Sequence, residues 1–143
     1  MFTSRIKVLQ ITARVVLVLL VVQYELGIAV IMSDPPAIPP VGFSVSNILY
    51  ALNTVGRVSV PHAVLGGLLI FASVINLILS LGSKIRSVQI VGTIGFVNII
   101  TAAGGGLVFV LSGFQNDNAS HAMATNFILA FTFYFLELYF LKS

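Results

Sequence analysis

Four long runs of apolar residues constrain this chain more than any other feature of its sequence. They cover residues 11–32, 61–82, 88–112 and 121–141, and a helix needs about 20 apolar residues to cross a bilayer core. Hydrophobic residues make up 58% of the sequence and charged residues only 8%, whereas soluble domains carry about a quarter charged residues. The sequence therefore predicts an all-α membrane protein in which residues 1–143 form a single four-span transmembrane domain.

The composition also excludes several kinds of site and partner. The sequence has no cysteine, which excludes disulfides, thiolate metal sites and iron–sulfur clusters. Its net charge of +3 comes from scattered cations rather than from a patch, so nucleic acid is not expected as a partner. No P-loop, dinucleotide-binding or serine-hydrolase motif occurs, so nucleotide-driven transport and soluble-type hydrolysis have no support. No small-residue cleavage pattern follows the first run, so we expect that span to be retained.

The cations predict how the spans are oriented. Six of the seven fall on one side of the membrane, and Arg57 alone falls on the other. By the positive-inside rule, both termini and the 83–87 link face the cytoplasm, and loops 33–60 and 113–120 face outward. We therefore expect a multi-pass protein of the cell membrane. The six cytoplasmic cations are Arg5, Lys7, Arg14, Lys84, Arg86 and Lys142.

The first outer loop, residues 33–60, divides into two parts. Prolines in residues 35–40 predict an extended segment. After it, apolar residues recur at helical spacing, which predicts an amphipathic helix on the outer membrane surface with Ser44 or Ser46 as its N-cap. A partly ordered loop is the alternative. The apolar positions are Val45, Ile48, Leu49, Leu52 and Val55.

Short links make spans two, three and four antiparallel neighbours, which predicts an up-down four-helix bundle with spans two and four on a diagonal. Small and polar residues at helical spacing indicate the inner faces. Gly104, Gly105 and Gly106 in span three indicate close helix packing, or alternatively a local break in the helix. The predicted inner faces comprise His62, Gly66, Leu69, Ser73, Asn76 and Ser80 in span two, Gly95, Asn98, Thr101, Gly105 and Ser112 in span three, and His121, Thr125, Ile128, Thr132 and Tyr139 in span four.

The two histidines are the first candidates for a binding site. His62 and His121 each open an even-numbered span on the outer side, so we expect them at similar depth. Imidazoles that face each other across a bundle can hold a haem iron, because axial histidine ligation is common and bundles build cofactor sites from facing side chains. Alternatively, both are boundary residues that hydrogen-bond to a loop and bind nothing.

Charged residues near the spans supply three further candidates. Glu25 lies inside the first span, where a carboxyl group suggests a proton-binding role, a partner for Arg57 or a histidine, or a neutral acid bonded to a neighbouring helix. Glu137 is expected to reach interfacial water or Lys142 near the end of the chain. Arg57 is a candidate for binding an anion such as a haem propionate or a lipid phosphate, or else caps the surface helix.

Two fragments carry a family resemblance: Val60-Pro61-His62-Ala63-Val64-Leu65-Gly66 and Ser120-His121-Ala122-Met123. With the four-span plan and the long first loop, they make the chain resemble one half of haem A synthase, whose members look like fused four-helix bundles. The resemblance implies that His62 and His121 are haem ligands or stabilise the haem site. It also implies a glutamate three residues before the first histidine, where this chain has Ser59. This departure favours a haem-holding module without that catalytic carboxylate, and Glu25 of the first span is the alternative source of a catalytic carboxyl group.

Three functions follow from these patterns. The first is a haem-associated membrane protein with a role in redox chemistry or haem modification. Its site would comprise His62, His121 and Arg57. The second is a cofactor-free accessory or assembly subunit, whose glycine faces contact other membrane subunits or further copies of the chain. The third is a small proton-coupled carrier that uses Glu25. Whether the chain is an enzyme stays open at this point.

Overall fold

Five α-helices make up the part of the chain that the computed structural model describes, which is residues 2–33 and 38–142. No strand occurs in that part. The predicted all-helical, four-span architecture is confirmed, because the four long helices are each long and apolar enough to cross a membrane. The helices are α1 (Phe2–Met32), α2 (Val45–Val55), α3 (Ser59–Leu81), α4 (Arg86–Leu111) and α5 (Asp117–Phe140).

The four long helices form a ring in which α1 and α4 each contact both α3 and α5. Helices α3 and α5 therefore lie on one diagonal, as the short links predict. The short helix α2 packs against α3 and α4. We call the end of the bundle that carries α2 and the start of α3 the α2 end. The opposite end, with the link between α3 and α4 and the last residues of α5, is the terminal end.

Apolar side chains fill the bundle in two layers. The first, which we call the central layer, combines residues of all four long helices at mid-length. The second, which we call the terminal layer, lies nearer the terminal end and consists of Leu9, Val88 and Leu141. Many large apolar side chains point outward instead, as expected where lipid replaces water around a bundle. The central layer comprises Val16, Leu20, Leu69, Ile99, Ala130 and Tyr134.

The amphipathic helix predicted in the first loop is present as α2. Ser44 is its N-cap, and its hydroxyl accepts a hydrogen bond of 3.1 Å from the Asn47 backbone N–H. Only part of the predicted apolar face is buried. Leu52 and Val55 pack against the bundle, whereas Val45 is exposed. Of the predicted extended segment, residues 38–40 are non-helical, and residues 34–37 lie outside the described residues.

A tight turn between α4 and α5 holds the first loop against the bundle. Gly113 adopts a φ of +69°, and a Cβ added there would collide with the Ile38 carbonyl oxygen. The Val41 backbone N–H donates a hydrogen bond of 3.0 Å to the Leu111 carbonyl. Only glycine combines this left-handed conformation with such a close approach of two chain segments.

The predicted inner face is right for most of α3 and wrong for α5. In α3, Leu69, Ser73, Asn76 and Ser80 are all buried. In α5, the predicted positions are exposed, including Ile128 at 61% and Tyr139 at 62%. The residues that face inward instead are Ala119, Ala130, Tyr134 and Glu137.

A local hydrogen bond explains why Thr132 does not mark the inner face of α5. The Thr132 hydroxyl donates to the Ile128 carbonyl of its own helix at 2.9 Å, so it needs no partner on another helix. The same bond joins Thr101 to Val97 in α4, and Thr101 is exposed although Gly95 and Asn98 are buried as predicted. Helix α4 continues through residues 104–106, which excludes the predicted alternative of a break there.

Candidate functional site

Glu137 is a carboxyl group buried completely inside the bundle. Its exposed fraction is 0%, although it lies only three residues before the end of α5. Asn76 of α3 donates a hydrogen bond from its side-chain amide to Glu137 Oε2 at 2.7 Å, and the Ser80 hydroxyl is hydrogen-bonded to Glu137 Oε1. The prediction that Glu137 reaches interfacial water or Lys142 is therefore wrong, because its side chain turns inward to polar groups of α3.

Helix α1 contributes a third polar side chain to this site. The Thr12 hydroxyl donates a hydrogen bond of 2.8 Å to Asn76 Oδ1. In this arrangement the side-chain carbonyl of Asn76 faces Thr12, and its NH₂ group faces the carboxyl group. Thr12, Asn76, Ser80 and Glu137, which we call the Glu137 cluster, thus join three transmembrane helices through side-chain hydrogen bonds.

The backbone of α4 at Gly92 packs directly against the fourth side of the cluster. A Cβ added to Gly92 would lie 2.6 Å from Ser80 Oγ, 2.9 Å from Ser80 Cβ and 2.9 Å from Glu137 Oε1. These distances are shorter than any normal contact, so even a methyl group does not fit between α4 and the cluster. One turn further along, Gly95 leaves space in the same way for the Tyr134 ring, which would lie 3.0 Å from an added Cβ.

The Glu137 cluster lies between the two apolar layers of the bundle. Along α1, Thr12 falls between Leu9 of the terminal layer and Val16 of the central layer. The same order holds on α5, where Tyr134 of the central layer precedes Glu137 and Leu141 of the terminal layer follows it. The cluster is therefore separated from both ends of the bundle by apolar side chains.

Glu137 has hydrogen bonds but no counter-charge. Among residues 2–33 and 38–142, no Lys, Arg or His forms an ion pair with it. Removing an ionised carboxylate from water without such a partner is costly in a low-dielectric interior. The surroundings therefore suit a carboxyl group that holds a proton.

The Ser80 hydroxyl has two acceptors within reach and a single proton to donate. Its oxygen lies 2.9 Å from the Asn76 backbone carbonyl and also contacts Glu137 Oε1. If Glu137 is protonated, its O–H donates to Ser80 Oγ and the serine donates to the Asn76 carbonyl. If Glu137 is ionised, the serine donates to the carboxylate instead. Rotation of one hydroxyl therefore satisfies both protonation states.

His62 forms a second polar contact, partly buried, at the α2 end. Its Nε2 lies 3.2 Å from the side-chain amide nitrogen of Gln23 in α1, where the amide N–H donates. Two glycines line this contact closely, since a Cβ on Gly27 would lie 3.3 Å from His62 Cε1 and a Cβ on Gly66 would lie 3.3 Å from Gln23 Nε2. His62 Nδ1 and Gln23 Oε1 are buried without a hydrogen-bond partner among the described residues.

The other residues predicted for a site lie on the surface. His121, Glu25 and Arg57 are all exposed, and none of them makes a side-chain hydrogen bond or ion pair with another described residue. His62 turns toward α1, whereas His121 lies on the exposed side of α5, and no hydrogen bond joins them. Within residues 2–33 and 38–142, no group of three or more His, Asp and Glu side chains is arranged to hold a metal ion.

Ser59, at the position where the resemblance implies a glutamate, has a structural contact of its own. It is buried, and its hydroxyl lies 2.8 Å from the Gly56 carbonyl and is also hydrogen-bonded to the Leu52 carbonyl. It therefore satisfies backbone oxygens at the end of α2, where α2 meets α3.

No model of a known protein family, no curated protein and no solved structure matches this chain.

Proposed function

We propose that this multi-pass membrane protein is a small proton-coupled carrier, and that Glu137 rather than Glu25 is its proton-binding group. One observation carries the proposal: Glu137 is fully buried, has no counter-charge among the described residues, and contacts donors that suit it with or without a proton. A carboxyl group inside a transmembrane bundle typically marks a proton or substrate pathway. Glu25 is exposed on the outside of α1 and lacks such surroundings.

The two apolar layers support a carrier rather than an open channel. A proton on Glu137 is shielded by the terminal layer on one side and by the thicker central layer on the other. Exchange with either end then requires a movement that admits water past one layer, which is the behaviour of a carrier with alternating access. With both termini in the cytoplasm, as the cations predict, Glu137 exchanges its proton across the terminal layer with the cytoplasmic side.

Infrared spectroscopy tests the proton-binding step directly. Protein reconstituted in lipid is expected to give the carbonyl stretch of a protonated carboxyl group, and that band should disappear reversibly as the pH is raised. Glu137→Gln should remove the titrating band. Glu25→Gln makes the same chemical change at an exposed carboxyl group and should leave the band in place; a band that survives in Glu137→Gln would refute the assignment.

Proteoliposomes that enclose a pH-sensitive dye test the transport step. After external acidification, vesicles with the wild-type protein should acidify faster than empty vesicles, because Glu137 carries protons across. Glu137→Gln should reduce the rate to that of empty vesicles, and Glu25→Gln should match the wild type. Equal rates in wild-type and Glu137→Gln vesicles would exclude a role of this residue in proton transport.

We retain a haem-associated function as a second proposal, because His62 and His121 lie on the diagonal helices α3 and α5 at the same end of the bundle. Haem fits these residues in part. His62 Nδ1 has no hydrogen-bond partner within residues 2–33 and 38–142, but Nε2 is bonded to Gln23 and His121 is exposed. Bound haem would supply redox chemistry, the histidines would ligate the iron, and exposed Arg57 would bind a propionate.

A further inference from the structure

We propose that the Glu137 cluster accepts a proton and excludes metal cations, and that Asn76 is the residue that determines this specificity. The inference rests on the proposed proton-coupled function and adds the identity of the coupling ion. It follows from which atoms face the carboxyl group and from how closely they pack.

The cluster contains oxygen atoms of the kind that hard cations prefer. Carboxylate, hydroxyl and carbonyl oxygens are the usual ligands of such ions. The carboxyl group of Glu137, the hydroxyls of Ser80 and Thr12 and the side-chain carbonyl of Asn76 all lie in the cluster. By composition alone, the site would therefore serve a metal cation as well as a proton.

The packing leaves no place for such an ion on the Oε1 side of the carboxyl group. Ser80 Oγ and Glu137 Oε1 are in direct hydrogen-bond contact, and the backbone of α4 at Gly92 is too close even for a methyl group. A calcium ion needs oxygens at about 2.3–2.6 Å on several sides, so Ser80 and Glu137 would have to move apart. A proton lies between two oxygens that are already in contact and requires no such movement.

Asn76 presents a donor where a cation would need a ligand. Its NH₂ group, and not its carbonyl oxygen, lies 2.7 Å from Glu137 Oε2. The Thr12 hydroxyl, which also lies 3.0 Å from the Leu9 carbonyl, lies 2.8 Å from Asn76 Oδ1, and its donation to Oδ1 favours this orientation. The positive end of the N–H bond points at the place beside the carboxylate that a cation would occupy, and it repels the cation there.

Cation titration of the reconstituted wild-type protein tests the inference. In weak buffer with a pH indicator, NaCl or CaCl₂ should release no protons from wild-type protein beyond those released from Glu137→Gln. Asn76→Asp replaces the NH₂ group by a second carboxylate oxygen, and we expect CaCl₂ to release about one proton per molecule, because metal binding displaces protons from its ligands. Asn98→Asp, the same change at a buried position of α4, is the control and should release none.

The outcomes separate this inference from the proposed function. Proton release from wild-type protein by NaCl or CaCl₂, absent in Glu137→Gln, would overturn proton specificity even where the titrating infrared band of Glu137 is present. Absence of that band would instead overturn the proposed function. If Asn76→Asp fails to fold, the wild-type titration still decides whether the site excludes cations; a folded Asn76→Asp protein without calcium-dependent release would overturn the role of Asn76.

Discussion

Asn76 and Glu137 join the two helices on a diagonal of the bundle: the amide of Asn76 in α3 donates a hydrogen bond of 2.7 Å to the carboxyl group of Glu137 in α5. These helices contact α1 and α4 far more than each other, so long polar side chains bridge the space between them. Because lipid provides no hydrophobic drive between helices, such bonds and close packing hold a membrane bundle together. The bond therefore contributes both to the architecture and to the proposed proton site.

Removing the Glu137 side chain should destabilise the bundle more than removing its ability to ionise. Glu137→Ala removes the acceptor of the Asn76 amide, whereas Ser80 keeps the Asn76 backbone carbonyl, and an unsatisfied buried polar group costs about 1–3 kcal/mol. Glu137→Gln keeps an acceptor and supplies an N–H in place of the carboxyl O–H, so we expect a smaller loss. The free energy of unfolding in detergent micelles, followed by circular dichroism, measures both variants.

The comparison of these variants also bears on the protonation state of Glu137. A neutral carboxylic acid and an amide have similar shape and hydrogen-bonding capacity, so glutamine replaces the neutral form well. A loss in Glu137→Gln as large as that in Glu137→Ala would argue that the folded protein holds an ionised carboxylate at this position.

Gly92→Ala should destabilise the protein because the added methyl group has no space. Its Cβ would lie 2.9 Å from Ser80 Cβ, an atom fixed to the backbone of α3, so α3 and α4 would have to separate. Overpacking of this kind typically costs about 1–3 kcal/mol. The unfolding free energy of Gly92→Ala in micelles measures the effect.

Gly67→Ala is the matched control for that substitution. An added Cβ at Gly67 meets nothing within 4 Å, and alanine is about 1 kcal/mol better than glycine in a helix interior. We therefore expect unchanged or slightly higher stability. Equal losses at Gly67 and Gly92 would show that α4 does not pack against the Glu137 cluster as closely as these distances require.

The number and bounds of the long helices could be predicted because they depend on local composition. Apolar runs and the polar links between them carry that information residue by residue, and the end of α3 at Leu81 lies within one residue of the prediction. The apolar run does not predict the start of α1 at Phe2, since Arg5 and Lys7 interrupt the run without interrupting the helix.

Of the candidate site, only the residues on α3 could be predicted from the sequence. Ser73, Asn76 and Ser80 share one helical face, and that face is buried. On α5, the face that contains His121 is the wrong one, and Tyr134 and Glu137, three residues apart, mark the buried side. Which of two possible faces a helix buries depends on its neighbours. A threonine such as Thr132, whose hydroxyl bonds to its own helix, gives no sign of which face that is.

Gln23 and His62 should be coupled in stability measurements. Their side chains touch across α1 and α3 at 3.2 Å, and side-chain hydrogen bonds inside membrane proteins contribute about 0.6 kcal/mol on average in double-mutant cycles. The cycle compares Gln23→Ala, His62→Ala and the double variant by unfolding in micelles. A coupling energy of zero would indicate that this contact does not form in the folded protein.

Absorbance of the purified protein tests the haem proposal. If haem is bound, a Soret band should be present and should be lost in His62→Ala and in His121→Ala, because each removes a proposed iron ligand. The contact with Gln23 adds a sharper expectation. Since that amide occupies His62 Nε2, Gln23→Ala should free the nitrogen and leave haem occupancy equal or higher.

Circular dichroism must show that the histidine variants keep their helical fold, so that loss of the band reports ligation rather than unfolding. Gln23→Ala then separates two ways in which His62 can act. If His62 ligates iron, freeing its Nε2 preserves the band; if the Gln23 contact positions the helices around the haem, the band weakens in Gln23→Ala as it does in His62→Ala. A colourless wild-type protein with an intact fold, after expression with haem supplied, would eliminate the haem proposal and leave the Glu137 cluster as the functional centre.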